Sequence, residues 1–275
     1  MNHLRIGCII FFNLLIINLS YSQTGDSVVY GPGKGLKGIT LEIYAHHPLI
    51  GSENTIGVNL PSGYVTYRVF VDMAPGYKLQ ALYGIPAHPL QIETTTAFYN
   101  NQDFGGKCGD EINEILLNSY NVAFDTWISM GAATGAHYGI TKEEDYDGSL
   151  LDYTSFEKND GLIGGRIPNL RFFRFMPDFF QHPDSSSFVI HDGAWLVYEG
   201  VRGMNSSNRV LVAQLTTDGA ITLKLNVQLI SPNREIEQFV YENPIDHEFT
   251  HQSLQINQYN ANDNDSKIFT KHNPE

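Results

Sequence analysis

Apolar and polar residues alternate with a period of two through most of the chain after residue 38. Ile39, Leu41, Ile43 and Ala45 alternate with Thr40, Glu42 and Tyr44. Val65, Tyr67, Val69, Val71 and Met73 alternate with Thr66, Arg68, Phe70 and Asp72. Successive side chains of a strand point to opposite faces, so this period marks strands with one face turned to a core. Lys78–Gly84 and residues 90–95 repeat the pattern on either side of Ile85-Pro86-Ala87-His88-Pro89, and residues 124–130 add a strand carrying Trp127. The β-branched and aromatic residues in these runs suit a pleated, half-buried surface. Arg209–Thr217 and residues 220–230 are joined by Asp218-Gly219, a dipeptide suited to a two-residue type I′ turn, so they read as an antiparallel hairpin. Ile221, Leu223, Leu225, Val227 and Leu229 then share one face; Thr222, Lys224, Asn226 and Gln228 share the other.

Helical spacing is scarce. Residues 110–117 predict two helical turns, with Asp110 as N-cap and Ile112, Ile115 and Leu116 on one face. From residue 255 onward the chain is rich in Asn and Asp and loses its period, which predicts a mobile polar tail over 255–275. Many short strands separated by Gly and Pro predict an all-β fold. The expected architecture is an antiparallel β-sandwich or jelly-roll-like, with at most one or two short helices.

The first residues carry a different pattern. Arg5 precedes an almost unbroken apolar run over residues 6–19, and Ser20-Tyr21-Ser22 follows. A basic start, a short apolar stretch and a small-x-small site form a secretory signal peptide over 1–22, too short to span a membrane comfortably. Export would leave 275 − 22 = 253 residues beginning at Gln23, secreted or held at the outer cell surface. Residues 23–38 centre on Gly31-Pro32-Gly33-Lys34-Gly35. They lack the G-x-x-x-x-G-K spacing of a phosphate-binding loop and predict a flexible leader before a single β domain over 39–254. No second apolar stretch reaches spanning length.

A net charge of −13 repels phosphate backbones and anionic lipid, which excludes nucleic acid as the expected partner. It leaves divalent cations, neutral glycans and proteins. Cys8 departs with the signal, so Cys108 stands without an intramolecular disulfide partner.

Three segments offer candidate chemistry. His247-Glu248-Phe249-Thr250-His251 matches H-E-x-x-H, in which a helix brings two imidazoles to zinc and the glutamate acts as general base. Pro244 precedes it closely, no amphipathic helix extends either way, and only the tail could supply a third ligand. A zinc metallohydrolase using His247 and His251 with Glu248 is therefore the alternative reading. Asp145, Asp147 and Asp152 cluster around Gly148 as ligands in a calcium loop would, although Thr154 stands where an EF-hand needs a bidentate Glu. The default there is a solvated acidic loop, and calcium is the one cofactor the sequence suggests. Residues 166–180 interleave Arg166, Arg171 and Arg174 with five phenylalanines. The default is a strand with core rings and exposed arginines, and the functional reading is a glycan- or protein-facing patch at Arg171, Phe173 and Arg174.

Several phrases of the chain resemble an uncharacterised β-rich domain of secreted and surface proteins of marine bacteria. They are Val65-Thr66-Tyr67-Arg68-Val69-Phe70, Ala81-Leu82-Tyr83-Gly84, Thr94-Thr95-Thr96-Ala97-Phe98-Tyr99, Asp125-Thr126-Trp127-Ile128-Ser129-Met130-Gly131, Asp192-Gly193-Ala194-Trp195 and the segment from Val212 to Gly219. The resemblance covers roughly residues 39 to 230 and implies extracellular display, without catalytic residues to carry over. The expected function is a secreted, non-catalytic binding or structural protein of the bacterial exterior that contacts glycan or protein.

Overall fold

The computed structural model describes residues 28–49, 60–153, 156, 158–263 and 268–272. The signal peptide over 1–22 lies outside the described residues. In chain order the strands are β1 (Leu36–His46), β2 (Val65–Met73), β3 (Lys78–Gly84), β4 (Leu90–Thr94), β5 (Trp127–Ile128), β6 (His137–Gly139), β7 (Leu162–Gly164), β8 (Arg171–Phe173), β9 (Ser187–Ile190), β10 (Gly193–Val201), β11 (Arg209–Thr217), β12 (Ile221–Lys224), β13 (Asn226–Ile230), β14 (Ile236–Val240), β15 (Glu248–Thr250), β16 (Gln255–Tyr259) and β17 (Ile268–His272). The fold is all-β, and its sheets pack as a sandwich.

One layer is the sheet β17-β1-β2-β11-β5. The other consists of β15-β14-β13-β3-β10-β8 and β16-β12-β4-β9. These two are arms of one bent sheet. β3 continues into β4, β12 into β13 and β9 into β10, and the three pairs stand in the same order in both arms. The corner falls at residues 85–89, at Leu225 and at His191-Asp192. Strands that switch sheets at such corners let a sandwich close around its contents. Leu41, Val69 and Val212 from the first layer meet Leu82, Trp195 and Val227 from one arm and Ile92, Phe188 and Leu223 from the other in a single apolar core.

Alternation located the inner faces correctly, but the outer faces are less solvated than their polarity suggests. All nine residues of β2 are buried. Loops between residues 99 and 162 cover the outer side of the first layer, where Phe70 and Leu211 pack against Phe124, Trp127 and Phe156. Arg68 is held beneath them: its Nε donates to Gln214 Oε1 at 3.0 Å, its Nη1 donates to Gly161 O at 3.0 Å, and its guanidinium lies 3.5 Å from the Tyr44 ring centre. Burial of a cation requires such partners.

Four expectations need correction. The Asp218-Gly219 hairpin does not form. β11 pairs with β2 and β5 in one layer, whereas β12 pairs with β4 and β16 in the other. A type I′ turn needs positive φ at both central residues, and neither Asp218 nor Gly219 has it. Threonines capture the turn instead. Thr217 Oγ1 accepts from Gly219 N and meets Thr94 and Thr96 Oγ1 at 2.8 and 3.0 Å, while Thr95 Oγ1 accepts from Ala220 N. A Cβ on Gly219 would come within 2.5–2.8 Å of all three threonine hydroxyls, so glycine is needed there for close approach.

The two-turn helix over 110–117 is instead two separate 3₁₀ turns, Gly109–Glu111 and Glu114–Leu116. Asn113 lies between them and its side chain accepts from Ile115 N, a local bond that competes with a continuing helix. Ile115 points to solvent. The glycine-rich leader is docked where it is described: Gly31 N donates to Ile236 O, Gly35 N donates to Glu237 Oε2, and β1 begins at Leu36. The polar tail likewise contributes β16, paired with β12, and β17, paired with β1.

Candidate binding cleft

At the corner of the bent sheet most polar groups are paired internally, with Asn226 Oδ1 buried and left without a partner. A Cβ on Gly84 would lie 1.9 Å from Ile190 O, so the strands cross here only because residue 84 is glycine. Asn226 Nδ2 donates to Tyr83 O and His88 O, both at 2.9 Å, stitching β3 to the start of β4. His88, fully buried, sets Nδ1 3.2 Å from Asn243 O and Nε2 3.2 Å from Glu248 Oε1. Tyr83 donates its hydroxyl to the same Glu248 oxygen at 2.8 Å, and Ile245 N donates to Oε2. Burial, followed by the Glu248 carboxylate, pushes the Tyr83 phenol well above its ordinary pKa.

The H-E-x-x-H segment is thereby accounted for. Glu248, Phe249 and Thr250 form β15, parallel to β14, and the helix that the zinc motif needs is not formed. Extended chain separates residues four apart by about 13 Å, too far for His247 and His251 to share an ion. His247 stacks on Tyr30 at 4.0 Å between ring centres, and His251 Nδ1 lies 2.6 Å from Ser253 Oγ. Glu248 turns inward as a support for the corner.

The acidic loop is also engaged with its own backbone. Asp145 Oδ2 accepts from the amides of Asp160 and Gly161 at 2.9 and 2.8 Å, and its Oδ1 accepts from Asp147 N. Asp160 accepts from Leu150, Leu151 and Leu162. Amide dipoles occupy the carboxylate oxygens that a calcium ion would use. Asp147 and Asp152 are exposed, and Asn118 Oδ1 accepts from Asp152 N. Among the described residues, no three His, Cys, Asp or Glu side chains converge as metal ligands would. Cys108 is buried, and burial pushes its thiol far above the ordinary value, as in a structural thiol.

The aromatic and basic run lines part of a cleft. β8 is the last strand of the six-stranded arm and β9 the last of the four-stranded arm. Between β9 and the chain leaving β8 lies an open cleft of about 480 Å³. Arg174, Phe175, Met176 and Phe179 form one wall, and the other follows the chain from Ser187 to Asp192 without a break. Its floor is aromatic: Phe188 sits 5.7 Å from Phe179, 5.9 Å from Phe175 and 6.3 Å from Trp195 between ring centres. Met176 stands at the rim with 64% of its surface exposed. At the corner end, Arg174 Nη1 meets Asp192 Oδ2 at 2.7 Å.

Of the patch read from the sequence, Arg174 lines this cleft. Arg171 is exposed beside it on β8, and Phe173 packs on the opposite face of the sheet, with the Arg174 guanidinium 5.1 Å from its ring centre. Sequence reasoning reached Phe175 and Phe179 as members of the run but missed Met176 and all of β9. Ser187-Phe188-Val189-Ile190 is a short apolar run with no chemistry of its own, and only its place at the sheet edge makes it part of a site.

No family model, curated protein or solved structure matches this chain.

Proposed function

We propose that this is an exported, non-catalytic binding protein that contacts a glycan or protein partner outside the cytoplasm through the cleft between β8 and β9. The open cleft carries this reading: an aromatic floor with an exposed methionine and an arginine at the rim is a receptive surface on an otherwise acidic, polar molecule. Glu248, His251 and Asp145 are turned to internal bonds, whereas His247, Asp147 and Asp152 are exposed without converging on a common point, which directs attention to this surface instead. The N-terminal apolar run and the resemblance to surface-displayed β domains support the location.

The exported chain, immobilised and screened against arrayed glycans and displayed peptides, should retain ligands whose binding is lost in Phe179→Asp and Met176→Asp. Ligands that bind both variants as well as the parent would overturn the reading, and so would the lack of any ligand.

A further inference from the structure

Along its β8–β9 edge the bent sheet is one strand short on one side of its corner. Across the bend, β13 is matched by β12, β3 by β4 and β10 by β9. β8, next to β10, has no matching strand beside β9 among the described residues. β8 ends where its continuation would enter that position. Arg174 adopts a left-handed conformation, φ +58, which turns the chain away from the sheet and out to Met176. Such a conformation costs a non-glycine residue about 1–2 kcal/mol. The cleft is the space this departure leaves.

The register shows what the cleft presents. Thr94 N donates to Ser186 O, and antiparallel ladders alternate, so Phe188 and Ile190 direct their main-chain groups to β4. Ser187 and Val189 then direct theirs into the cleft. β9 is a short edge, and its residues, Ser187-Phe188-Val189-Ile190, include no charge and no proline to block pairing. A main-chain ladder of this spacing matches extended polypeptide, and a glycan does not offer the same repeat. Arg171 and Arg174 are exposed along the flank, Arg174 already meeting Asp192, in a chain of net charge −13.

Resting on the reading of the cleft as the binding site, we infer that the partner is an extended peptide segment with flanking acidic residues, which adds to β9 as the missing strand. Its backbone pairs with Ser187 and Val189, its inward side chains reach Phe175 and Phe179, and its carboxylates meet the arginine flank.

The test uses dodecapeptides selected from a random displayed library on the exported chain. Val189→Pro deletes a donor that faces the cleft and leaves the β4 ladder, made by Phe188 and Ile190, intact. Selected peptides should bind Val189→Pro at least about tenfold more weakly and lose affinity as salt is raised. Hydrogen exchange should show the Ser187 and Val189 amides protected only with peptide present. A peptide N-methylated at alternate residues should fail on the parent protein, which keeps the test valid should Val189→Pro misfold. Binding that is insensitive to Val189→Pro and N-methylation but lost in Phe179→Asp would overturn strand addition and leave the cleft reading standing. Binding insensitive to all of these overturns both. Selection of glycans alone, or a wild-type dimer that Val189→Pro dissociates, would also overturn the peptide proposal.

Discussion

The corner of the bent sheet and the cleft beside it are built from neighbouring stretches of the same strands, yet they treat polar groups in opposite ways. At the corner, Asn226, His88, Tyr83 and Glu248 bond one another and the backbone. At the cleft, the edge of β9 has no paired strand among the described residues, and half-buried Phe175 and Phe179 line the opening over the buried ring of Phe188. A buried polar group left unpaired costs more than a good pair contributes, so a network bonded largely to itself serves the fold even though Asn226 Oδ1 lacks a partner within it. An edge left open serves association. The same distinction describes Glu248 of the H-E-x-x-H segment and Asp145 of the acidic loop, whose carboxylates accept internal bonds.

The comparison can be broken by substitutions that should separate stability from binding. Leu225, almost fully buried at the hinge between β12 and β13, should show the largest effect. Leu225→Ala is expected to cost about 2–5 kcal/mol in urea unfolding, through lost burial and the cavity left behind. Asn226→Ala would leave the carbonyls of Tyr83 and His88 without that donor, at about 1–3 kcal/mol, with ligand binding by the folded fraction unchanged. If Asn226→Ala abolished binding without loss of stability, the corner would be part of the site and the distinction would fail.

Asp125 gives a pH-dependent version of the same contrast. Burial pushes its carboxyl up to about 7, opposed by the amides of Asn101 and Gly106 that donate to it. The folded state therefore holds this proton more tightly than the unfolded state, whose carboxyl titrates near 3.8. This residue's contribution to stability should fall as pH rises from about 4 to about 7. Asp125→Asn should remove that part of the slope in denaturation midpoints across the window; an unchanged slope would mean the group is ionised throughout. The smallest effect belongs to Lys224, on the outer face opposite Leu225, with its ammonium 5.4 Å from the Tyr241 ring centre. Lys224→Ala should stay within about 0.5 kcal/mol.

Much of the fold was legible in the sequence because strand geometry is local. The inward residues of β2, of the 221–229 run and of β1 as far as Ile43 lie in the core as their alternation indicated, while a register shift after Ile43 turns Ala45 to the outer cluster. The outward residues were harder to judge. Gln228 looked solvent-facing but is buried, donating to Gln80 Oε1 and accepting from Gln238 Nε2 on adjacent strands. The site was legible in part: the arginine and phenylalanine run was recognisable as a patch, but β9 carried no signal that it was an edge.

Sequence by itself determined most of the strands and which of their sides faces a core, since a pleated backbone turns successive side chains to opposite faces. The strand expected over 124–130 is reduced to Trp127–Ile128 after a 3₁₀ turn at Val122–Phe124. Tertiary structure alone decided which strands pair. Asp218-Gly219 favours a hairpin locally, but the hydroxyls of Thr94, Thr95 and Thr96, more than 120 residues away in sequence, hold that turn in a crossing between layers. It also decided that, among the described residues, no strand lies beside β9, because that depends on where the chain goes after Arg174. Hydrogen-bond competition among distant segments is a property of the assembled fold, and no local pattern records it.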